Sequence, residues 1–410
     1  MKIGFYLDFS HLTNFSHDDF NKGLLGISGT DSSFIRVVNS LTLRQLDVTL
    51  FASGTITSNT LKIKKVVSLS EATQMAIADK FTHLIFVYKE GIDLQNAIHL
   101  ANNSSLKMSV WAQNPAGKFY LDFFAKANSL KNIIYVEQHD ANQVRHHITF
   151  NKAIVIPNGI EKEIYANKVI QISKENKVCF LGSLTYSKGF HLLAKAWPEV
   201  RKVVPDAKLI ILGSGKLYDN KAILGPLGLG ESEYEREYIM PYLGNNKQTL
   251  IENGVDVKGL INRNQLLQIL PECKVVCINP NIYGSLESCS VSSLESQMLG
   301  IPVVAGNAGG NLCTILDRKT GFLTVPEKLQ LYIIKLLADK ELAEEFGTQA
   351  RKHALGKYEL QQVIDIWESF LVRNDTSKSK VRINGFWKDP KIVAKEIVRL
   401  LTFKKFLKRH

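Results

Sequence analysis

Two carboxylates stand eight positions apart in the run from Gly284 to Val304. Glu287 follows an apolar run that reads as a strand and lies among Gly and Ser. Glu295 lies on a predicted helix, Val291 to Leu299. Gly300 and Pro302 stop that helix, and Val303-Val304 opens the next strand. A helix starting near Ser290 presents unpaired backbone N–H groups and a partial positive charge, which stabilise a diphosphate. A carboxylate one turn further on can reach ribose hydroxyls. A carboxylate in the preceding loop can accept hydrogen bonds from a sugar and stabilise an oxocarbenium-like transition state. The competing reading is two solvated carboxylates at a chance spacing.

This segment resembles the E-x7-E motif of the family-4 retaining glycosyltransferases. Glu287 matches the first Glu, Ser288-Cys289-Ser290-Val291 the small-residue loop, and Glu295 the second Glu. The resemblance implies that Glu287 contacts the donor sugar, as the catalytic group, and that Glu295 contacts the ribose. Phe180 to Leu193 is similar to the first strand, loop and helix of that family's donor domain. Lys188 matches the lysine that holds the diphosphate, and alone it would read equally as an exposed lysine at a helix start. Ser183 stands where the family usually has Arg. Leu212-Gly213-Ser214-Gly215 resembles the next Gly-rich turn. Val257-Lys258-Gly259-Leu260-Ile261 resembles the segment that reads the nucleobase through its backbone.

The resemblance extends over about residues 1–370. Gly26-Ile27-Ser28-Gly29-Thr30-Asp31 is similar to the acceptor-side glycine loop, although Thr30 or Asp31 could simply cap a helix. Gln113 ends a strand where the family often carries a histidine near the reacting sugar, and an amide can still bind a hydroxyl. Pro157-Asn158-Gly159 matches a turn that leads to the interdomain linker. Thr320 to Leu323 fits a later turn, whereas the Glu that many relatives place after paired glycines has no counterpart in Ala308 to Ile315.

Elements that would position these residues are legible as alternation. Apolar runs at 2–7, 48–52, 83–88, 108–112, 132–137 and 153–157 read as strands. So do 177–182, 208–213, 255–259, 275–279 and 302–305. Helical patterns at 32–46, 143–150, 189–204 and 263–270 fall between them, and two or three helices follow over 329–370. Strands apolar on both faces, interleaved with helices, predict an α/β protein with parallel sheets. The resemblance makes this the GT-B fold, with two Rossmann-like domains facing each other across a donor-binding cleft. The expected division is an acceptor-side domain over 1–165 and a nucleotide-sugar domain over 166–355. A helix over 356–376 returns to the first domain, and a basic amphipathic tail occupies 377–410. A long insertion, 215–249, interrupts the second domain; it is either functional or a plain surface excursion.

The chain has 410 residues and a net charge of +12, with 45% apolar and 22% charged residues. From Ser377 to His410 there are eleven Lys or Arg against Asp389 and Glu396, so the rest of the chain carries only about +3. That distribution argues against a nucleic-acid groove and places the basic character in the tail. Trp387 and the apolar positions after Asp389 suit contact between 387–410 and an anionic membrane surface; the alternative is a terminal helix packed on the protein's own body. Five cysteines, Cys179, Cys273, Cys277, Cys289 and Cys313, read as buried thiols. No apolar run approaches the roughly 20 residues that span a bilayer. The N-terminus is too short in its apolar part for a signal peptide, so the expected location is cytoplasmic, with peripheral contact at the inner face of the plasma membrane.

The expected activity is transfer of a hexosyl-type sugar, with retention, from a nucleotide diphosphate donor to a glycan or lipid-linked acceptor. The setting would be surface polysaccharide or lipopolysaccharide assembly. No cofactor and no metal are expected, since no Asp-x-Asp metal motif is present. Two other readings stay open: a non-catalytic scaffold in a polysaccharide assembly complex, and a nucleotide-sugar epimerase of the same fold.

Overall fold

Two parallel sheets organise the chain in this computed structural model. It describes all residues except 13, 167–174, 217–222, 285–287, 382–389 and 408–410, and no side chain beyond 399. Glu287 and Trp387, singled out from the sequence, therefore lie outside the described residues. Contacts separate the chain into one unit of residues 1–16, 34–158 and 363–410, and a second of residues 17–33 and 159–362. The crossing at Asn158–Gly159 falls inside the turn read from the sequence. Residues 17–33 group with the second unit, although the sequence reading kept the whole of 1–165 together.

The first unit contains β1 (Ile3–Asp8), β2 (Phe15–Ser16), β3 (Val48–Ser53), β4 (Ile56–Thr57), β5 (Ile63–Lys65), β6 (His83–Val87), β7 (Lys107–Ala112), β8 (Leu130–Tyr135) and β9 (Ala153–Val155). Seven of them form a sheet in the order β5-β3-β1-β6-β7-β8-β9, all parallel, and β2 pairs with β4 alone. β1 and β3 are buried almost throughout, as helices on both faces demand. The expected helix over 143–150 is instead a helix at Gln138–Gln143 and a 3-10 turn at Ile148–Lys152. The cause is local: the His147 ring accepts the Thr149 N–H and starts the turn.

Helix Leu360–Arg373 carries the chain back into the first unit. Its Trp367 is fully buried, 4.8 Å from Trp111 and 5.9 Å from Phe5 between ring centroids. Arg44 adds an ion pair at 2.7 Å to each of Asp365 and Glu368. The tail helix Pro390–Leu407 also docks here over its described side chains. Buried Arg145 pairs with Glu396 at 2.9 Å and lies over the Phe150 ring at 4.5 Å, while Lys395 donates to Gln143. The packed-helix reading thus holds for this part of the tail, and Ile397 and Val398 point to solvent.

The second unit has β10 (Lys177–Leu181), β11 (Lys208–Leu212), β12 (Val255–Gly259), β13 (Val275–Ile278), β14 (Val303–Gly306) and β15 (Gly321–Thr324). They run parallel in the order β12-β11-β10-β13-β14-β15. β15 was read from the sequence only as a turn. Its four residues are too few to show a period. Its core joins Val178, Phe180, Ile211 and Cys277 of the sheet to Phe190 and Trp197 of helix Phe190–Val203. Cys179, Cys273, Cys277 and Cys289 are buried free thiols, and Cys313 is half-buried. Among the described residues no helix is long and apolar enough to cross a membrane.

His83, at the start of β6, is buried with its Nε2 2.8 Å from the Ser109 hydroxyl. Burial first, and Lys107 second, hold it at about 4, below its ordinary 6.5. As pH falls the unfolded chain therefore binds a proton before the folded one does. The stability linked to His83 is complete above about 6.5 and is lost on the way to 4. Thermal melts at pH 7 and pH 5 should show a smaller drop for His83→Gln than for the parent chain; equal drops would remove His83 from this role.

Candidate functional site

In the second unit, strand order reverses between β10 and β13: from β10 the chain builds outward through β11 and β12, then returns to lay β13 on the other side. Such a reversal leaves a crevice beyond the carboxyl ends of the two strands, the general ligand position of open α/β sheets. The loops leaving β10 and β13 carry the two strongest sequence motifs.

The β10 loop is shaped by close backbone approach. Gly182 and Gly213 adopt φ of +150° and +151°, and a methyl group at Gly213 would lie 1.8 Å from the Gly182 carbonyl oxygen. Gly182 donates to Leu212 O at 3.0 Å and Gly213 to Gly259 O at 2.8 Å, so three strand ends lock together. Ser183 is buried, and its hydroxyl donates to Ser214 O at 3.4 Å. Its side chain is spent on building the Gly213–Gly215 turn. Lys188 is half-buried and stands just before Gly189, the left-handed N-cap of helix Phe190–Val203. A side chain at Gly189 would meet the Asn281 N at 2.7 Å, and the Asn281 amide donates to the Tyr186 and Ser187 carbonyls at 3.3 Å each. Asn281 belongs to the loop after β13, so the Lys188 loop and the E-x7-E loop hold each other.

Helix Val291–Met298 begins at Ser290, whose Oγ accepts the Ser293 N–H at 3.3 Å and a hydrogen bond from the Asn279 amide at 3.4 Å. This is an N-cap, and the remaining first-turn N–H groups have no partner within the helix. Ser288, two residues earlier, is buried and its hydroxyl has no hydrogen-bond partner among the described residues. A buried unpaired hydroxyl beside a helix start is the kind of atom that a ligand oxygen completes. Val291 is buried, and Cys289 is a buried thiol. The loop after β14 seals the other side. A methyl group at Gly310 would fall 1.8 Å from the Ser288 carbonyl oxygen, and the Asn311 amide donates to Asn279 O and Gly306 O at 3.2 and 3.0 Å.

Glu295 is half-buried and accepts a hydrogen bond from the Tyr165 hydroxyl at 3.3 Å. Tyr165 is fully buried, and its carbonyl accepts from Arg351. Sequence reasoning missed both, since nothing local links positions so far apart. At the sheet edge, Lys258 pairs with Asp256 at 2.8 Å, and Leu260 is exposed just beyond Gly259.

The glycine loop of residues 26–31 lies in the same unit. A methyl group at Gly29 would sit 3.2 Å from Val291 Cγ2, and one at Gly26 would fall 2.4 Å from Ile261 O. The expected choice of Thr30 or Asp31 as helix cap needs correction: Ser28 caps helix Gly29–Leu43. Its hydroxyl accepts the Asp31 N–H at 3.1 Å and donates to the buried Asp31 carboxylate at 2.7 Å. Thr30 is half-buried. Gln113 stays in the first unit, buried in a reciprocal amide pair with Asn158 at 3.0 and 3.1 Å. It fastens the end of β7 to the turn where the chain leaves that unit.

The first unit's own reversal point, between β1 and β6, carries a polar group that sequence reasoning overlooked. The Asp8 carboxylate takes hydrogen bonds from Ser53 at 2.6 Å and from the Ser10 N–H at 3.0 Å, and pairs with Lys89 at 2.8 Å. Burial works to raise its pKa, but the hydrogen bonds from Lys89, Ser10 and Ser53 outweigh it and hold the carboxyl well below the usual range. A strand that is apolar until its last residue was the available signal.

Residues 161–353 match the family model of the glycosyl transferases group 1, a little under half of the chain. Among curated proteins, a GDP-mannose-dependent α-(1-6)-phosphatidylinositol monomannoside mannosyltransferase of Mycolicibacterium smegmatis is 27% identical over 44% of this chain and 44% of its own length. A UDP-Gal:α-D-GlcNAc-diphosphoundecaprenol α-1,3-galactosyltransferase of Escherichia coli is 24% identical over 47% of this chain and 46% of its own. The chain spans about half the length of the curated relatives it matches. Among solved structures, Anabaena HepE in complex with UDP superposes with a TM-score of 0.66 at 16% identity, over 91% of this chain and 100% of that one. Sucrose-phosphate synthase from Thermosynechococcus elongatus gives 0.69 at 15%, over 91% and 98%. These likenesses define the fold as GT-B, with two Rossmann-like units.

Gly310→Ala tests the close approach. The added methyl must displace the Ser288 backbone, which should lower the melting temperature and cost about 1–3 kcal/mol as for other overpacked sites. A variant as stable as the parent would mean that the two loops do not meet as described.

Proposed function

We propose that the protein is a retaining glycosyltransferase that moves a hexosyl-type sugar from a nucleotide diphosphate donor to a glycan or lipid-linked acceptor. The observation that carries this reading is the meeting, at the β10/β13 reversal, of the Lys188 loop, the unpaired buried Ser288 hydroxyl and the capped start of helix Val291–Met298. An anionic ligand gains about 0.3–1 kcal/mol at an exposed helix start and up to about 2 where partly buried. Lys188, on the loop that Asn281 ties to the segment after β13, is the cation assigned to the same anion. These groups suit a departing diphosphate, whose charge they stabilise with no metal required of them.

Glu295, already oriented by Tyr165, is the group for the ribose hydroxyls. Lys258 and Leu260 flank the backbone expected to face the base. Glu287 keeps the catalytic role that its match to the motif implies, contacting the donor sugar. Gly29, Thr30, Asp31 and Gln113 are assigned to the acceptor side. The relatives named as mannosyl- and galactosyltransferases support a hexosyl donor and a lipid-linked acceptor; surface polysaccharide or lipopolysaccharide assembly is the setting proposed with them. A cytoplasmic protein held at the inner face of the plasma membrane by its basic tail fits those acceptors.

A thermal-shift series with UDP, GDP and ADP tests the donor site. One nucleotide should raise the melting temperature of the parent chain, and much less that of Lys188→Ala and Glu295→Ala. No shift with any of them at millimolar concentration would overturn the transferase reading and favour a scaffold that has lost its donor site. For the tail, co-sedimentation with phosphatidylglycerol vesicles should exceed that with phosphatidylcholine and fall when residues 387–410 are removed. Equal binding to both would reject an electrostatic tail contact.

A further inference from the structure

The described residues of the insertion from 223 on carry helices: Ser232–Tyr234, a π-helical turn at Glu235–Ile239, Met240–Leu243, and the start of Lys247–Glu252, which runs past its end. π turns are rare and cluster at functional sites. This one is fixed from below. Glu235 is fully buried, and its carboxylate accepts the N–H groups of Leu227, Leu229 and Gly230 at 2.7, 2.6 and 3.0 Å. Tyr234 ties the turn to the β10 loop, accepting the His191 N–H at 3.0 Å and donating to Thr185 O at 3.4 Å.

What the turn presents outward is an aromatic corner. Tyr186, in the Lys188 loop, stacks one face on His191 with centroids 4.3 Å apart and planes 12° apart, and the residue is 56% exposed. Tyr238 stands 5.6 Å from it at 70° and is 37% exposed. Burial keeps His191 at about 4, so the base of the stack is uncharged at neutral pH. Glu233 and Glu237 are exposed and stand close enough to Tyr238 to raise its pKa, Glu237 most strongly. Flat faces bordered by carboxylates suit the C–H face and hydroxyls of a neutral sugar.

We propose that Tyr186 and Tyr238 form a stacking corner for a neutral pyranoside of the acceptor glycan, with Glu237 accepting hydrogen bonds from its hydroxyls. The assignment rests on the transferase reading above. It gives the insertion a function: a second sugar-binding surface on the loop that carries Lys188.

The test is saturation-transfer NMR on the full chain with N-acetylglucosamine, diacetylchitobiose and α-1,6-mannobiose, beside nucleotide thermal shifts on the same samples. At least one saccharide should be saturated through its ring C–H protons. Its affinity should fall about fivefold in Tyr186→Ala and in Tyr238→Ala, while Tyr238→Phe retains it. The nucleotide shift should persist in both alanine variants. Saccharide signals equal in the parent and the alanine variants, or absent from the parent, overturn the proposal. So does a loss of the nucleotide shift in Tyr186→Ala, which would make the corner a base-stacking site. A parent chain that binds saccharide at the corner but no nucleotide would instead defeat the transferase reading and leave the corner standing.

Discussion

The parallel pairing of β10 with β13 governs the second unit. Val178, Cys179 and Phe180 lie in register with Val275, Val276 and Cys277, joining strands far apart in the chain. Both strands are buried on both faces, so their polar neighbours can appear only where the strands end. Because every strand points the same way, those ends gather on one edge. At this pair the strand order reverses, the general ligand position of open α/β sheets, and here the two following loops are tied to each other through Asn281.

Gathering loops on one edge brings backbone against backbone, and glycine is the residue that permits it. Gly213 lies against Gly182, Gly189 against Asn281, and Gly310 against Ser288. At each position a β-carbon would collide with main chain, which cannot step aside as a side chain can. Buried amides then satisfy the carbonyls that such crowding strands away from water. Asn311 serves Asn279 and Gly306, and Asn281 serves Tyr186 and Ser187. Among the described residues, the Ser288 hydroxyl and the Asn311 Oδ1 are the atoms of this network that have no hydrogen-bond partner.

The first unit solves a different problem. Its helix Leu360–Arg373 is distant in sequence but supplies Trp367 to an aromatic block with Trp111 and Phe5. The tail helix follows it onto the same unit through a nearly buried ion pair, Arg145 to Glu396. Such a pair fixes orientation more than it stabilises, because taking both charges out of water costs nearly what their attraction returns. Gln113 and Asn158 act likewise, as two amides whose complementary geometry holds the end of β7 to the exit turn.

The sequence by itself determined the strand and helix alternation, the cap at Ser290 and the two glycine-marked loops, and its family resemblance implied the GT-B fold. The alternation, cap and loops rest on local rules: apolar runs, helix stops, and residue types that backbone conformation demands over a few positions. It read 143–150 as one helix because periodicity there is apolar enough, and it missed β15 because four residues carry too little pattern. Tertiary structure alone decided that Tyr165 orients Glu295 and that Ser183 turns inward to Ser214. It also decided that the insertion's Tyr238 stands beside Tyr186. Each of these is a contact between separate segments of the chain. The chain's path through space sets such distances, and no spacing along the sequence encodes them.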